Sequence, residues 1–247
     1  MLSIKIIAVL LIFLSTLIAG YIPFRQRIHA PDNVEFPRGE ALACGVFLGV
    51  GLIHMLGDSA NQFQAIGSRY PWAFMLAGSA FLLLLLMEHI GRDCHVDKRS
   101  NVVVYLTMTI LSLHSFLAGT ALGFSDIYSV MLLIILALLV HKWAAGFALA
   151  IKINQSRMST RWGLALFLTF ALMTPMGVLV GASISSSMTV SPWVEPTFIS
   201  LASGTFLYLG TLHGLGQAVL VEKCCNLKNF GFVVLGFMLM ALVAVWT

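Results

Sequence analysis

Apolar residues in this chain come in uninterrupted runs of roughly 18 to 25, the length of helix that crosses the hydrocarbon core of a bilayer. Eight such runs follow one another, at about 2–23, 40–59, 71–90, 101–124, 127–151, 162–184, 196–221 and 229–247. Lipid offers backbone N–H and C=O groups no partners, so a run of this length is expected to be helix. Composition agrees. The 247 residues are 59% hydrophobic and 10% charged, against about 25% charged in soluble domains. A surface facing water cannot be covered with so few charges. A cleaved signal peptide is the other reading of the first run, but its length and the lack of a small-x-small cleavage site favour a span. The expected fold is therefore an all-α membrane protein of eight transmembrane helices in a single polytopic domain over 1–247.

Basic residues set the expected orientation. Arg25, Arg27 and Arg38, then Arg92, Lys98 and Arg99, then Lys152, Arg157 and Arg161, then Lys223 and Lys228 all flank alternate connections. The opposite side carries only Lys5 and Arg69. Positive charge stays in the cytoplasm, so both termini are expected outside it, in the plasma membrane or an organelle membrane. The net charge of +4 is read as this asymmetry, with no nucleic-acid partner. Cys94, Cys224 and Cys225 fall in the cytoplasmic loops, where thiols stay reduced, and Cys44 lies in an apolar run.

Two internal matches organise the chain. His114–Phe124 and His141–Ile151 share His, Ala, Gly, Ala and Leu at equal offsets. Gly45–Ser59 aligns without gaps to Gly204–Ala218, sharing Gly, Phe, Leu, Gly, His, Leu and Gly. The matched helices are the fourth with the fifth and the second with the seventh, so each pair crosses in opposite directions. That is the mark of inverted repeats. It implies a 3+2+3 plan: helices one to three over about 2–90, a central pair over about 101–151, and helices six to eight over about 162–247. Small residues four apart, as in Gly45/Gly49, Gly119/Gly123, Gly177/Gly181 and Gly210/Gly214, let helices approach closely. Pro175 is expected to break the sixth helix.

The repeats also place the histidines. His114 and His141 fall near mid-depth, where an ionisable side chain is costly and marks a site that something polar must reach. His54 and Asp58 fall at the outer end of the second helix, and His213 at the inner end of the seventh. Imidazole suits zinc, copper, iron and nickel, so the ladder reads as a metal-ion pathway. Lys142 beside His141 is expected to lie deep, either snorkelling, pairing with a carbonyl, or standing in for a bound cation.

Read in order, Gly45-Val46-Phe47-Leu48 through His54-Met55-Leu56, Glu88-His89, His114-Ser115 with Gly119 and Ala121-Leu122-Gly123, His141-Lys142 with Gly146, Met173-Thr174-Pro175-Met176-Gly177, and Gly204-Thr205-Phe206-Leu207-Tyr208 resemble the ZIP (Zrt/Irt-like) metal transporter family along the whole chain. The resemblance implies uptake of a divalent ion toward the cytosol, zinc first and also iron or manganese. It further implies a site between the fourth and fifth helices built from a histidine and an acid one turn later on each. Those acids are absent here: the positions are Ala118 and Ala145. The candidate metal residues are therefore His114, Ser115 and His141 in the central pathway, His54 and Asp58 at the outer mouth, and His213 at the inner mouth. The alternative is a non-transporting scaffold or regulator that has lost its acidic ligands. No enzyme activity and no bound cofactor are expected. The expected partners are the lipid bilayer, the transported metal and, as an option, a second copy in a homodimer.

Overall fold

Helix fills every apolar run that can be followed. The computed structural model describes residues 2–29, 36–93, 101–124, 128–156, 158–184, 191–211 and 227–245. Among these no strand occurs. The elements are α1 (Leu2–His29), α2 (Pro37–Gly49), a π-helical segment (Val50–Met55), α3 (Leu56–Ala65), α4 (Trp72–Asp93), α5 (Asn101–Phe124), α6 (Tyr128–Gln155), α7 (Thr160–Ile184), α8 (Val194–Tyr208) and α9 (Leu227–Val243). The second predicted span is the continuous run α2–π–α3 and is longer than expected at both ends. Pro37 opens it, at the helix position where a missing N–H costs nothing. Gly67 closes it at φ +86°, with Gly67 N–H on Gln64 O and Ser68 N–H on Phe63 O. This is a left-handed glycine cap, which few other residues adopt cheaply.

Among the described residues, four helices are long and apolar enough to cross a membrane: Ile4–Arg25, Pro37–Ala65, Ile135–Gln155 and Thr160–Ile184. Trp72–Met87 and Leu227–Val243 are shorter apolar helices. The expected break at Pro175 is not found; α7 runs unbroken through it. Proline still removes one N–H, which leaves the Ala171 carbonyl without its usual intrahelical donor. The breaks in α-helical geometry lie elsewhere, at Val50–Met55 and again at Leu209–Thr211 directly after α8.

The chain forms two compact units, Met1–Glu35 with Val96–Thr189, and Phe36–His95 with Val190–Thr247. The first unit holds α1, α5, α6 and α7. Its tightest pairs are α5 with α7 and α1 with α6. Glycine explains both. A methyl group on Gly123 would lie 2.6 Å from Val178 O, and one on Gly119, Gly177 or Gly181 would also strike the facing backbone. Gly146 of α6 seats Thr16 of α1. Ala8, Ile12, Leu122, Met131, Ile135, Leu138 and Val178 then close an apolar core drawn from all four helices.

In the second unit α2 lies on α9 and α4 on α8. A methyl group on Gly49 would lie 2.6 Å from Met240 Cβ. Phe47 stacks on Phe206, ring centroids 5.3 Å apart. Trp193 meets Phe63 and Trp72, and Trp72 meets Tyr70, which makes an aromatic cluster of the kind that favours a membrane–water boundary.

Candidate metal centre

α5 and α6 bring the mid-depth histidines together. Along α5 the spacing of Thr107, Leu111, His114 and Ala118 puts them on one helix face. The first three are buried and Ala118 is partly so. Along α6, Leu138, His141, Lys142, Ala145 and Leu149 form the matching buried stripe. The imidazoles of His114 and His141 meet with ring centroids 5.6 Å apart and planes at 51°. Two imidazoles bonded to one zinc ion at about 2.0–2.1 Å place their ring centres roughly 5–6 Å apart. The pair therefore stands at the separation that a shared ion requires.

The charge balance beside the pair is unusual. Lys142 is 2% exposed and does not snorkel. Its Nζ donates to Ser115 Oγ at 2.7 Å and lies 3.8 Å from the centre of the Phe170 ring. α5, α6 and α7 thus each contribute to the seat of the Lys142 side chain. A lysine at the centre of a membrane helix costs about 2.5–3.5 kcal/mol on insertion scales. A hydrogen bond to a charged donor returns about 1.5–3 kcal/mol, and a desolvated cation–π contact about 2 kcal/mol. Ser115 keeps one of its two lone pairs, since the ammonium engages only the other.

The positions one turn after the histidines are apolar in environment as well as in identity. Ala145 is buried, and Ala118 packs against the core of Ala8, Ile12, Leu122 and their neighbours. Among the described residues no group of three or more His, Cys, Asp and Glu side chains comes together. The candidate centre is a two-imidazole site beside the buried Lys142 side chain.

In the second unit His54 and Asp58 do meet, Nδ1 to Oδ2 at 3.0 Å. His54 sits in the π-helical segment, and Ser203 Oγ donates to Gly51 O at 2.9 Å within the same segment. Such π segments leave backbone groups unpaired and are frequent at functional sites. His89 is exposed, and Cys44 is buried as its apolar context suggested. His213, His95, Cys94, Cys224 and Cys225 lie outside the described residues. Lys5, counted in the sequence as a charge on the sparse side, is a buried helix residue whose Nζ donates to Gly123 O at 2.7 Å. The Lys142 seat and the π-helical segments are the features the sequence did not disclose. The repeated Gly-x-x-His pattern at Gly51–His54 and Gly210–His213 was the available signal for the second.

A family model described as ZIP zinc transporter matches residues 2–98 and 93–244. The zinc transporter ZIP1 of Takifugu rubripes is 26% identical, over 98% of this chain and 97% of its own length. The zinc transporter ZIP2 of Mus musculus is 22% identical, over 100% of this chain and 99% of its own. Zinc transporter 11 of Arabidopsis thaliana is 25% identical, over 100% of this chain and 86% of its own.

Proposed function

Because the chain belongs to the ZIP zinc transporter family, we propose that it carries a divalent metal ion, zinc foremost, across a membrane by way of the His114–His141 pair. The family is one of transporters, not enzymes, and the apolar helices suit a multi-pass membrane protein. The observation that carries the site is the 5.6 Å separation of two buried imidazoles on adjacent helices. Neutral imidazole offers nitrogen lone pairs, and Ser115 adds an oxygen; water on the ion supplies the remaining ligands of an open site. Without a carboxylate the ion is held weakly, which suits a pathway that must also release it.

The finer parts of the reading rest on the family resemblance for direction and cargo, on charge placement for the termini, and on the repeats for the mouths. Movement is toward the cytosol, with iron or manganese as secondary cargo, and both termini are extracytoplasmic. His54 and Asp58 gather the ion at the outer mouth, and His213 serves the inner one. The inverted 3+2+3 plan is supported by the π-helical turns, which begin at Val50 and Leu209, matched positions of the two aligned segments. A second copy in a homodimer is the proposed assembly.

A non-transporting scaffold is the second reading, favoured by Ala118, Ala145 and the buried Lys142. Purified protein in liposomes separates the two. The natural chain is expected to take up zinc, and His114→Ala or His141→Ala to abolish uptake. Uptake unchanged in both variants would remove the imidazole pair from the pathway. Absence of uptake by the natural chain would favour the scaffold.

A further inference from the structure

We propose that Ser203 is a positioning residue for the mouth pair: its hydroxyl holds the π-helical turn at Val50–Met55 in place and so fixes where His54 points. The inference rests on the reading of His54 and Asp58 as the outer gathering site, and concerns what aims them. Serine and threonine inside a helix commonly bond their hydroxyl to a carbonyl one turn back on the same helix. On α8 and just beyond it, Thr197 donates to Trp193 O, Ser200 to Pro196 O, Thr205 to Ala202 O and Thr211 to Leu207 O. Ser203 does otherwise. It is fully buried, and its Oγ donates across to Gly51 O at 2.9 Å. The same carbonyl accepts the Leu56 N–H, an i→i−5 bond of the π-helical type. Ser203 therefore grips the segment at the carbonyl on which its wide hydrogen bonding closes.

A π turn amounts to an extra residue in an α-helix. It can shift along the helix, because each peptide it passes only exchanges an i→i−4 bond for an i→i−5 bond. Each residue it passes turns by one helical step, roughly 100°. The flanking pieces stay seated: α2 on α9 through Gly45 and Gly49, and α3 on α4 through Leu56, Phe63, Ala73 and Ala77. His54 lies in the stretch between them. Were the turn displaced past His54 toward α3, the imidazole would take the direction that Met55 has now, and Met55 is buried. Held where it is, the turn leaves His54 partly exposed, with Nδ1 3.0 Å from Asp58 Oδ2. The crossing is also built twice. A methyl group on Gly51 would lie 3.1 Å from Leu207 Cδ2 and 3.3 Å from Ser203 O. One on Gly210, in the second π-helical segment, would lie 3.1 Å from Leu48 Cγ and 3.1 Å from Cys44 O. Gly51 matches Gly210 in the aligned segments, Leu48 matches Leu207, and Cys44 falls opposite Ser203. Each wide turn rests on the straight part of the other helix, and a hydroxyl secures the one that carries His54.

Zinc uptake into liposomes, split into KM and maximal rate, tests the role. Ser203→Ala removes the donor and little volume. Loss of one hydrogen bond shifts a balance between two conformations by about two- to ten-fold. KM is expected to rise by about that factor while the maximal rate holds. Ser203→Cys, with the weaker donor found at the matched position, should fall between. His54→Ala should raise KM at least as far. The double variant should then show the KM of His54→Ala alone, because a residue that acts by aiming His54 has nothing left to aim. A serine that only packs α8 against the second span predicts a lower maximal rate and an effect that adds to that of His54→Ala. Natural KM in folded Ser203→Ala, or additive effects in the double variant, would overturn the proposal. If Ser203→Ala fails gel filtration, Ser203→Cys alone and combined with His54→Ala makes the same comparison. If His54→Ala raises KM and the Ser203 variants do not, only the positioning role fails. If His54→Ala leaves KM natural, the mouth reading is wrong and the positioning role falls with it.

Discussion

At the scale of residues, the candidate centre is marked as much by two alanines as by two histidines. Ala118 is partly buried against Ala8, Ile12 and Leu122, and Ala145 is buried. A carboxylate at position 118 would face an apolar core, where an unpaired charge costs several kcal/mol. It would also stand one helical turn from His114, where a metal could pair with it. Ala118→Glu is therefore expected to lower the thermal midpoint without metal and to recover it when zinc is added. Ligand binding stabilises by about 2.7 kcal/mol at a hundred-fold excess over Kd, so the zinc-induced rise should exceed that of the natural chain. Equal rises in both would mean that position 118 does not reach the ion. The sequence announced the histidines, because polar groups at mid-depth in long apolar runs are conspicuous. It left three fates open for Lys142. The contact with Ser115 and Phe170 joins residues 115, 142 and 170 on three helices, and no spacing within one helix encodes the rotation that brings them together.

At the scale of elements, glycine and the π-helical turn do different work. α5 and α7 approach until a methyl group on Gly177 would strike the backbone of Phe116. A larger side chain there must push the helices apart. Gly177→Leu is expected to destabilise the protein by about 1–3 kcal/mol or more, read as a lower thermal midpoint in detergent. Gly78→Leu in α4, where an added methyl meets nothing within 4 Å, should leave the midpoint nearly unchanged. Equal losses at both sites would sink the close-packing argument. The small-x-x-x-small pattern announced tight packing but not partners: Gly45 faces α9, and Gly177 faces α5. Pro175 misled in the other direction. A helix held on both sides by glycine contacts continues through a proline whose lost hydrogen bond is a single local deficit.

At the scale of the molecule, the charge pattern and the repeats make a topological statement that can be checked. Basic residues flank alternate connections, and the number of expected spans is even. Short epitope tags at either end should be accessible to antibody from the extracytoplasmic side of sealed, oriented vesicles. Accessibility from the cytoplasmic side alone would reverse the assignment and with it the direction of transport. The described helices do not group in their order along the chain. α1 joins α5, α6 and α7 in one unit, and α2, α3 and α4 join α8 and α9 in the other.

Helix and family could both be read from the linear chain, since each follows from local hydropathy or residue order. Lipid leaves a long apolar run no alternative to helix. Helix partners, the seat of Lys142 and the apolar surroundings of Ala118 could not. Those depend on how each helix is rotated about its axis, which is decided by close contacts between segments far apart in the chain. The contact of Lys142 with Ser115 and Phe170 is visible only once α5, α6 and α7 have been packed together.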